Sequence, residues 1–369
     1  MRRPDTFVQP QGSVPLAPLT TLQVGGRAQW LTRASYLEDV LAARQWAGER
    51  GLPLVILGGG SNLVVADCGV DGLVLHMDLR GCEMHVEQEE LLVEVAAGEP
   101  WDRVVRRTVE AGFSGLECLS GIPGRAGGTP VQNVGAYGQA VSRVIEWVEV
   151  VDRATGRVEH LPSDACGFGY RRSRFKLSDR QRFIVTRVAF RLGSGPPETS
   201  YPEVARWLDA AARRTPSVAD VREAVLAVRR RKGMVLDLAD ADTRSVGSFF
   251  VNPVVSVAAY HSIVARMEQS DGQPPGFSSE NGAIKVPAAW LIEHAGLQRG
   301  HGAGPARLST KHPLAIVNAG GATAREIIDF AASVKRRVID RWGVWLQAEP
   351  VFLGCDGDDE AAFLQKAGG

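Results

Sequence analysis

Three stretches of this sequence carry side chains able to hold an anion or move a proton. Residues 166–176 set Arg171, Arg172, Arg174 and Lys176 among Phe168, Tyr170 and Phe175. A guanidinium grips phosphate or carboxylate through a planar fork of donors, and the aromatic residues can fix the loop so that one arginine points inward. Residues 246–253 place the Ser248 hydroxyl between Gly247 and the pair Phe249 and Phe250, and close on Asn252-Pro253. Gly247 permits a turn that other residues resist, and Pro253 holds Asn252 extended. A hydroxyl fixed in that way can donate a proton in a dry pocket. Glu349 follows an apolar run, 342–346; a carboxyl buried there would have a raised pKa. Each stretch has an ordinary reading beside the chemical one: a solvated basic turn, a turn pinned by two core phenylalanines, and an exposed acid at a strand end.

Two glycine-rich stretches add binding capacity. Gly58, Gly59, Gly60, Ser61, Asn62 and Leu63 follow the apolar strand expected at 53–57. Such a loop brings backbone N–H groups close to an anion, a diphosphate being the natural guest. It has neither the P-loop lysine nor the spacing of a Rossmann fingerprint. Residues 121–139 hold six glycines and two prolines in nineteen positions, a composition that excludes a regular helix or central strand. Thr129, Gln132, Asn133 and Tyr137 nonetheless offer directed hydrogen bonds, as a ligand-wrapping loop would.

The elements that must position these stretches alternate in type. Residues 1–14 read as a loose arm. A capping box from Ser35 to Glu38 opens a helix to about Arg50. Short strands are expected within 73–97, a helix from Trp101 to Ala111, and strands at 144–151, near His160 and at 183–190. An amphipathic helix is expected from Ser217 to about Lys232, with Arg229, Arg230, Arg231 and Lys232 as a solvated basic end. Thr323 and Glu326 form a second capping box, whose helix presents Ile327, Phe330, Val334 and Val338 on one face. A strand is expected at 314–318, a final one at 342–346, and a mobile tail at 355–369.

Composition bounds the class. A chain of 369 residues, 44% hydrophobic and 23% charged, is an ordinary soluble protein of two or three domains. Zero formal net charge argues against bulk binding of nucleic acid or anionic membrane. Five cysteines without a paired CxxC spacing suit a reducing cytoplasm and argue against a structural metal site. His301 and His312 have no metal-ligand spacing. The expectation is a cytosolic protein without membrane insertion, of undetermined oligomeric state.

Taken in order, the motifs resemble those of the UDP-N-acetylenolpyruvoylglucosamine reductase family, also called UDP-N-acetylmuramate dehydrogenases. The matching residues are Val24-Gly25-Gly26-Arg27-Ala28, Gly58-Gly59-Gly60-Ser61-Asn62, Gly121-Ile122-Pro123-Gly124, Val131-Gln132-Asn133-Val134-Gly135-Ala136-Tyr137-Gly138, Phe168-Gly169-Tyr170-Arg171, Gly247-Ser248-Phe249-Phe250 and Ala289-Trp290-Leu291-Ile292. Each is weak alone; their ordered union is specific.

The resemblance implies an α+β protein with an FAD-binding fold of the vanillyl-alcohol-oxidase/PCMH type. Its two subdomains would be 15–80 and 81–215, the second joined by a strand at 341–354, with a third, substrate-binding domain at 216–340. Non-covalent FAD would rest on 58–63 and on Gly121, Ile122, Pro123, Gly124, Thr129, Asn133, Gly135, Ala136, Tyr137 and Gly138. NADPH, as co-substrate, would give a hydride to the flavin, which passes one to the enolpyruvyl methylene carbon of UDP-N-acetylglucosamine enolpyruvate. Ser248 would protonate the adjacent carbon, with Arg171 and Glu349 stabilising the enol-like intermediate. Lys232, Asn252, Tyr170 and His312 would contact substrate. The chain departs from the family at Val251, where a basic residue is usual, at Pro350-Val351, where Val-Arg is usual, and at Gly128. The tyrosine lid of one subclass has no counterpart at 178–180. An oxidase of the same fold that tethers flavin through histidine is disfavoured, because neither 58–64 nor 121–139 contains one.

Overall fold

The computed structural model describes residues 8–267, 274–279 and 282–367. Helices and strands alternate in an α+β arrangement, and the chain divides into two compact units. The first comprises residues 1–14, 28–59 and 71–235; the second comprises 15–27, 60–70 and 236–369. Residues 216–235 fall in the first unit and 341–354 in the second.

The first unit is built on two sheets. In one, the strands run in the order Gln11–Pro15, Arg27–Ala34, Val70–Met77, Leu54–Leu57. Leu54–Leu57 pairs in parallel with Val70–Met77, Leu54 opposite Leu73. Gln11–Pro15 was expected as part of a loose arm; its edge pairing gives the backbone groups partners. The helix Leu37–Glu49 starts one residue later than its sequence signal. The Asp39 carboxylate accepts from the N–H groups of Ser35 and Tyr36, so Asp39 does what Glu38 was expected to do.

The other sheet has the order Val158–Pro162, Ile145–Asp152, Phe183–Gly193, Glu90–Ala96, Cys82–Glu87 and is antiparallel throughout. One face packs on the helix Trp101–Glu110, where Trp101, Val104 and Val105 meet Val93, Val188 and Phe190. The helices Pro202–Ala210 and Val218–Arg231 pack on each other through Val204, Leu208, Val221 and Val225.

The second unit is organised around the helix Ala324–Trp342, opened by the expected Thr323–Glu326 box. Asp67 accepts from the N–H groups of Ala324 and Arg325, satisfying two further donors at that helix start. The helix absorbs Trp342, which the sequence reading gave to a strand. Trp342 is buried, its indole N–H donates to the Leu291 carbonyl, and Gly343 ends the helix in a left-handed turn. Apolar density alone does not separate a buried helix turn from a strand.

The expected mobile tail is corrected as well. Asp359–Gln365 is a helix, capped by Asp358 and anchored by the fully buried Leu364.

Candidate active site

In the first unit Gly58 and Gly59, the start of one glycine loop, meet the other loop. The loop after Leu54–Leu57 brings Gly59 so close to Gly124 that a Cβ on Gly59 would lie 2.7 Å from the Gly124 Cα. Only two bare backbones fit there. The second loop sits over the start of the Trp101–Glu110 helix. The Trp101 N–H donates to the Gly124 carbonyl (3.1 Å), and the Ala126 N–H to the Glu99 carbonyl (2.9 Å). Asp102 accepts from the Gly121 N–H (2.6 Å) and forms two bonds to Arg222 (2.7 and 2.9 Å). Burial opposes the Asp102 charge, but its bonds to Arg222 and Gly121 hold its pKa below the usual carboxylate value.

Arg229 grips the same loop from its carbonyl side, donating to Gly121 (3.4 Å) and Met234 (2.7 Å). It is 9% exposed, so it is no part of a solvated basic end. Charge-run reasoning missed it because helical phase, not local composition, decides which of three consecutive arginines turns inward.

Residues 128–138 are less irregular than their composition implies. Gly128–Gln132 is a short helix with Pro130 in its first turn, where a missing N–H costs nothing. Asn133 ends it at φ 45°, a conformation asparagine tolerates. The Thr129 hydroxyl donates to the Ala126 carbonyl (2.7 Å). The Asn133 side chain donates to the Gly169 carbonyl (2.8 Å) and accepts from the Ser142 N–H (3.2 Å). Arg171 donates to the carbonyls of Gly135 (2.7 Å) and Asn133 (3.4 Å). The structure thus brings Arg171 onto the glycine-rich segment itself. Tyr170 is exposed, with the Arg171 guanidinium 5.6 Å from its ring centre.

Lys232 pairs with Glu203 (2.5 Å) and lies 5.9 Å from the centre of the Tyr137 ring. Burial pushes the Tyr137 phenol up to about 12, so it stays protonated at neutral pH. Glu203 was not singled out from the sequence, where nothing marks one helix glutamate as facing a lysine 29 residues away.

In the second unit three segments converge on Ser248. On one side Phe249 donates to the Leu314 carbonyl (2.7 Å), two residues beyond His312. On the other the 249–251 backbone pairs antiparallel with 347–349: Phe250 bridges Ala348, Glu349 donates to the Phe249 carbonyl (2.9 Å), and Val251 to that of Gln347 (3.0 Å). Phe249 and Phe250 are fully buried with ring centres 5.2 Å apart, while Ser248 and Glu349 are half-buried. Asn62 Nδ2 donates to the Glu349 carbonyl (3.4 Å), and its own carbonyl accepts from Val351 (3.0 Å). Asn252 Oδ1 accepts from the Ala288 N–H (2.9 Å) and so caps the helix Ala288–Glu293. Ser248, Glu349, Asn62 and the His312 turn are therefore neighbours in this unit, although 287 positions separate Asn62 from Glu349.

The FAD binding domain model matches residues 29–162, and the model for the UDP-N-acetylenolpyruvoylglucosamine reductase C-terminal domain matches 239–353. A UDP-N-acetylenolpyruvoylglucosamine reductase of Streptomyces coelicolor is 46% identical over 353 residues, covering 94% of this chain and 91% of that one. This chain belongs to the UDP-N-acetylenolpyruvoylglucosamine reductase family. A relative of the same name from Mycobacterium leprae is 44% identical over 357 residues, covering 93% of this chain and 95% of its own. The crystal structure of the Thermus caldophilus reductase superposes with a TM-score of 0.63 at 27% identity, covering 94% of this chain and all of that one. Like its family, the chain is an FAD-dependent oxidoreductase.

The residues present fit that cofactor. Gly58, Gly59 and Gly124 present bare backbone where the two loops meet, the kind of surface that an anionic diphosphate can approach closely. Arg125, directly after Gly124, is half-buried with its side chain over Gly58. Burial lowers its pKa, and Asp78 lies 3.8 Å from its guanidinium. It is a cation beside the same loop, and its place inside a glycine loop is the sequence signal that could have found it.

Proposed function

We propose that this reductase converts UDP-N-acetylglucosamine enolpyruvate to UDP-N-acetylmuramate, a peptidoglycan precursor, with electrons from NADPH in the cytoplasm. When bound, FAD would supply the hydride chemistry that couples NADPH oxidation to reduction of the enolpyruvyl methylene carbon. The protein does the rest. Arg171 holds the substrate carboxylate, and with Glu349 it stabilises the charge that develops there. Ser248 gives its proton to the carbon next to the one reduced. A serine is a poor acid in water, so this role demands fixed geometry and an adjacent carbanion. Lys232, released from Glu203, meets the substrate diphosphate; Asn252 Nδ2, Tyr170 and His312 contact the sugar nucleotide.

The observation that supports the reading is the antiparallel bridge of Phe250 to Ala348, with the Glu349 N–H on the Phe249 carbonyl, which brings the backbone directly after Ser248 against that of Glu349. The test is anaerobic mixing of NADPH-reduced enzyme with the enolpyruvyl sugar nucleotide. Return of the oxidised flavin spectrum is expected. A flavin that stays reduced with this substrate overturns the reading.

A further inference from the structure

Lys335 is an unusual residue for the centre of a helix core. It is fully buried, and among the described residues no carboxylate forms an ion pair with it. Its ammonium donates to the carbonyls of Phe363 (2.6 Å), Lys366 (2.6 Å) and Leu364 (3.4 Å). These carbonyls lie at the C-terminal end of the helix Asp359–Gln365, where the helix dipole favours a cation; that of Phe363 also accepts from the Lys366 N–H (3.2 Å). The rings of Phe363 and Trp345 flank the ammonium, their centres 4.6 and 5.1 Å away. Lys335 therefore caps a second helix from within the core. Burial draws its pKa down to about 8, still mostly charged at neutral pH.

That cap reaches the candidate active site in few steps. The Leu364 carbonyl also accepts from the Ala348 N–H (2.9 Å). Ala348 bridges Phe250, and the next N–H, of Glu349, donates to Phe249. The C-terminal helix is thus the backing strip of the backbone pairing that holds Ser248 beside Glu349. On its solvent side it is tied by Arg325 to Asp358 (2.6 Å) and by Arg336 to Glu360 (2.5 and 2.7 Å). Exposed pairs of that kind add little; the buried three-carbonyl cap is the stronger tether.

We infer that Lys335 is a positioning residue for the Ser248–Glu349 pair, acting through the C-terminal helix. The inference rests on the proton-delivery reading above. Removing the ammonium frees the helix end, lets residues 347–349 shift against 249–251, and misplaces the proton donor. Gly58, Gly59 and the glycine-rich residues 121–138 lie in the other unit, so FAD binding is expected to persist, although Asn62 of the first loop touches the Glu349 carbonyl.

The experiment compares wild type, Lys335→Met, Lys335→Gln, Arg336→Ala and Ser248→Ala as purified holoenzymes. Methionine keeps the length and helix preference of lysine without its donors; glutamine keeps one donor group. FAD content, the rate of flavin reduction by NADPH and the rate of flavin reoxidation by the enolpyruvyl sugar nucleotide are measured separately. For Lys335→Met the expected result is full FAD, a reduction rate within about twofold of wild type, and reoxidation slowed about tenfold or more. Lys335→Gln should fall between, and Arg336→Ala should match wild type. If Lys335→Met does not fold, Lys335→Gln carries the same split. Equal effects on both rates, or on neither, overturn the inference by leaving Lys335 a purely structural role. Ser248→Ala keeps the two claims apart. If it slows reoxidation while the Lys335 variants do not, only the Lys335 assignment fails. If wild-type flavin is not reoxidised by the substrate at all, the functional reading fails first.

Discussion

Replacing Gly59 by alanine tests whether the meeting of the two glycine loops is the flavin cradle. The added Cβ would lie 2.7 Å from the Gly124 Cα, 3.1 Å from its carbonyl carbon and 3.4 Å from the Arg125 nitrogen. All three are backbone atoms, so no side chain can swing away. Carbon contacts normally sit at roughly 3.5–4.0 Å, which means one loop must retreat by about 1 Å. Overpacking of this order costs about 1–3 kcal/mol. If the strain falls on the bound cradle, that converts to FAD binding weaker by about 5- to 150-fold. Gly128→Ala is the matched control. A Cβ there meets nothing within 4 Å, and the position begins a helix, so a gain of roughly 0.4–1 kcal/mol in stability and no change in FAD affinity are expected. The assay is titration of apoprotein with FAD, followed by flavin fluorescence, with circular dichroism as the check on folding. Wild-type affinity in a folded Gly59→Ala protein would refute the cradle. So would an equal loss in both variants, which would mean that any change in these loops disturbs the cofactor.

Three further outcomes follow from particular contacts. Ser248→Ala should leave flavin reduction by NADPH intact and slow reoxidation by substrate by about 100-fold or more; equal half-reactions in variant and wild type would reassign the proton donor. Arg229→Met should lower the urea midpoint and weaken FAD binding together, because the carbonyls of Gly121 and Met234 lose their donor, at about 1–3 kcal/mol for each buried group left unpaired; an unchanged midpoint would show that water replaces it. Asp152 is held down to about 2 by the Thr155 N–H and then by Arg182. A carboxylate pKa depressed on folding adds stability above its unfolded value of about 3.9 and loses it as pH falls through the folded value. The difference in urea midpoint between wild type and Asp152→Asn should therefore be full near neutrality and shrink between about pH 4 and pH 2. A difference that grows with acid would reverse the sign and the argument.

The candidate site residues stand out in the sequence because each sits where local physics is restrictive. A glycine loop after an apolar strand, a serine between glycine and two phenylalanines, and asparagine before proline leave few backbone choices. The Thr323–Glu326 box was equally legible, since a cap and its partner are three residues apart. Elements whose signal is only apolar density were not. Trp342 ends a helix instead of opening a strand, because the helix Ala324–Trp342 had a buried face left to fill and the Leu291 carbonyl to meet.

What the sequence by itself determined was the set of loops, the types of reactive side chain and their order along the chain. Only tertiary structure decided which of them became neighbours. Asn62 lies 287 positions from Glu349 and touches its carbonyl because Leu63–Val65 and Val351–Leu353 pair in parallel. Arg229 reads as a surface cation and 355–369 as a loose tail, while nothing local marks Lys335 as buried. Each is buried or ordered because a partner distant in sequence supplies the missing hydrogen bonds: Gly121 for Arg229, the 363–366 carbonyls for Lys335, and the Ala348 N–H for the tail. A charged side chain enters a core only where such partners wait, and local composition carries no record of them.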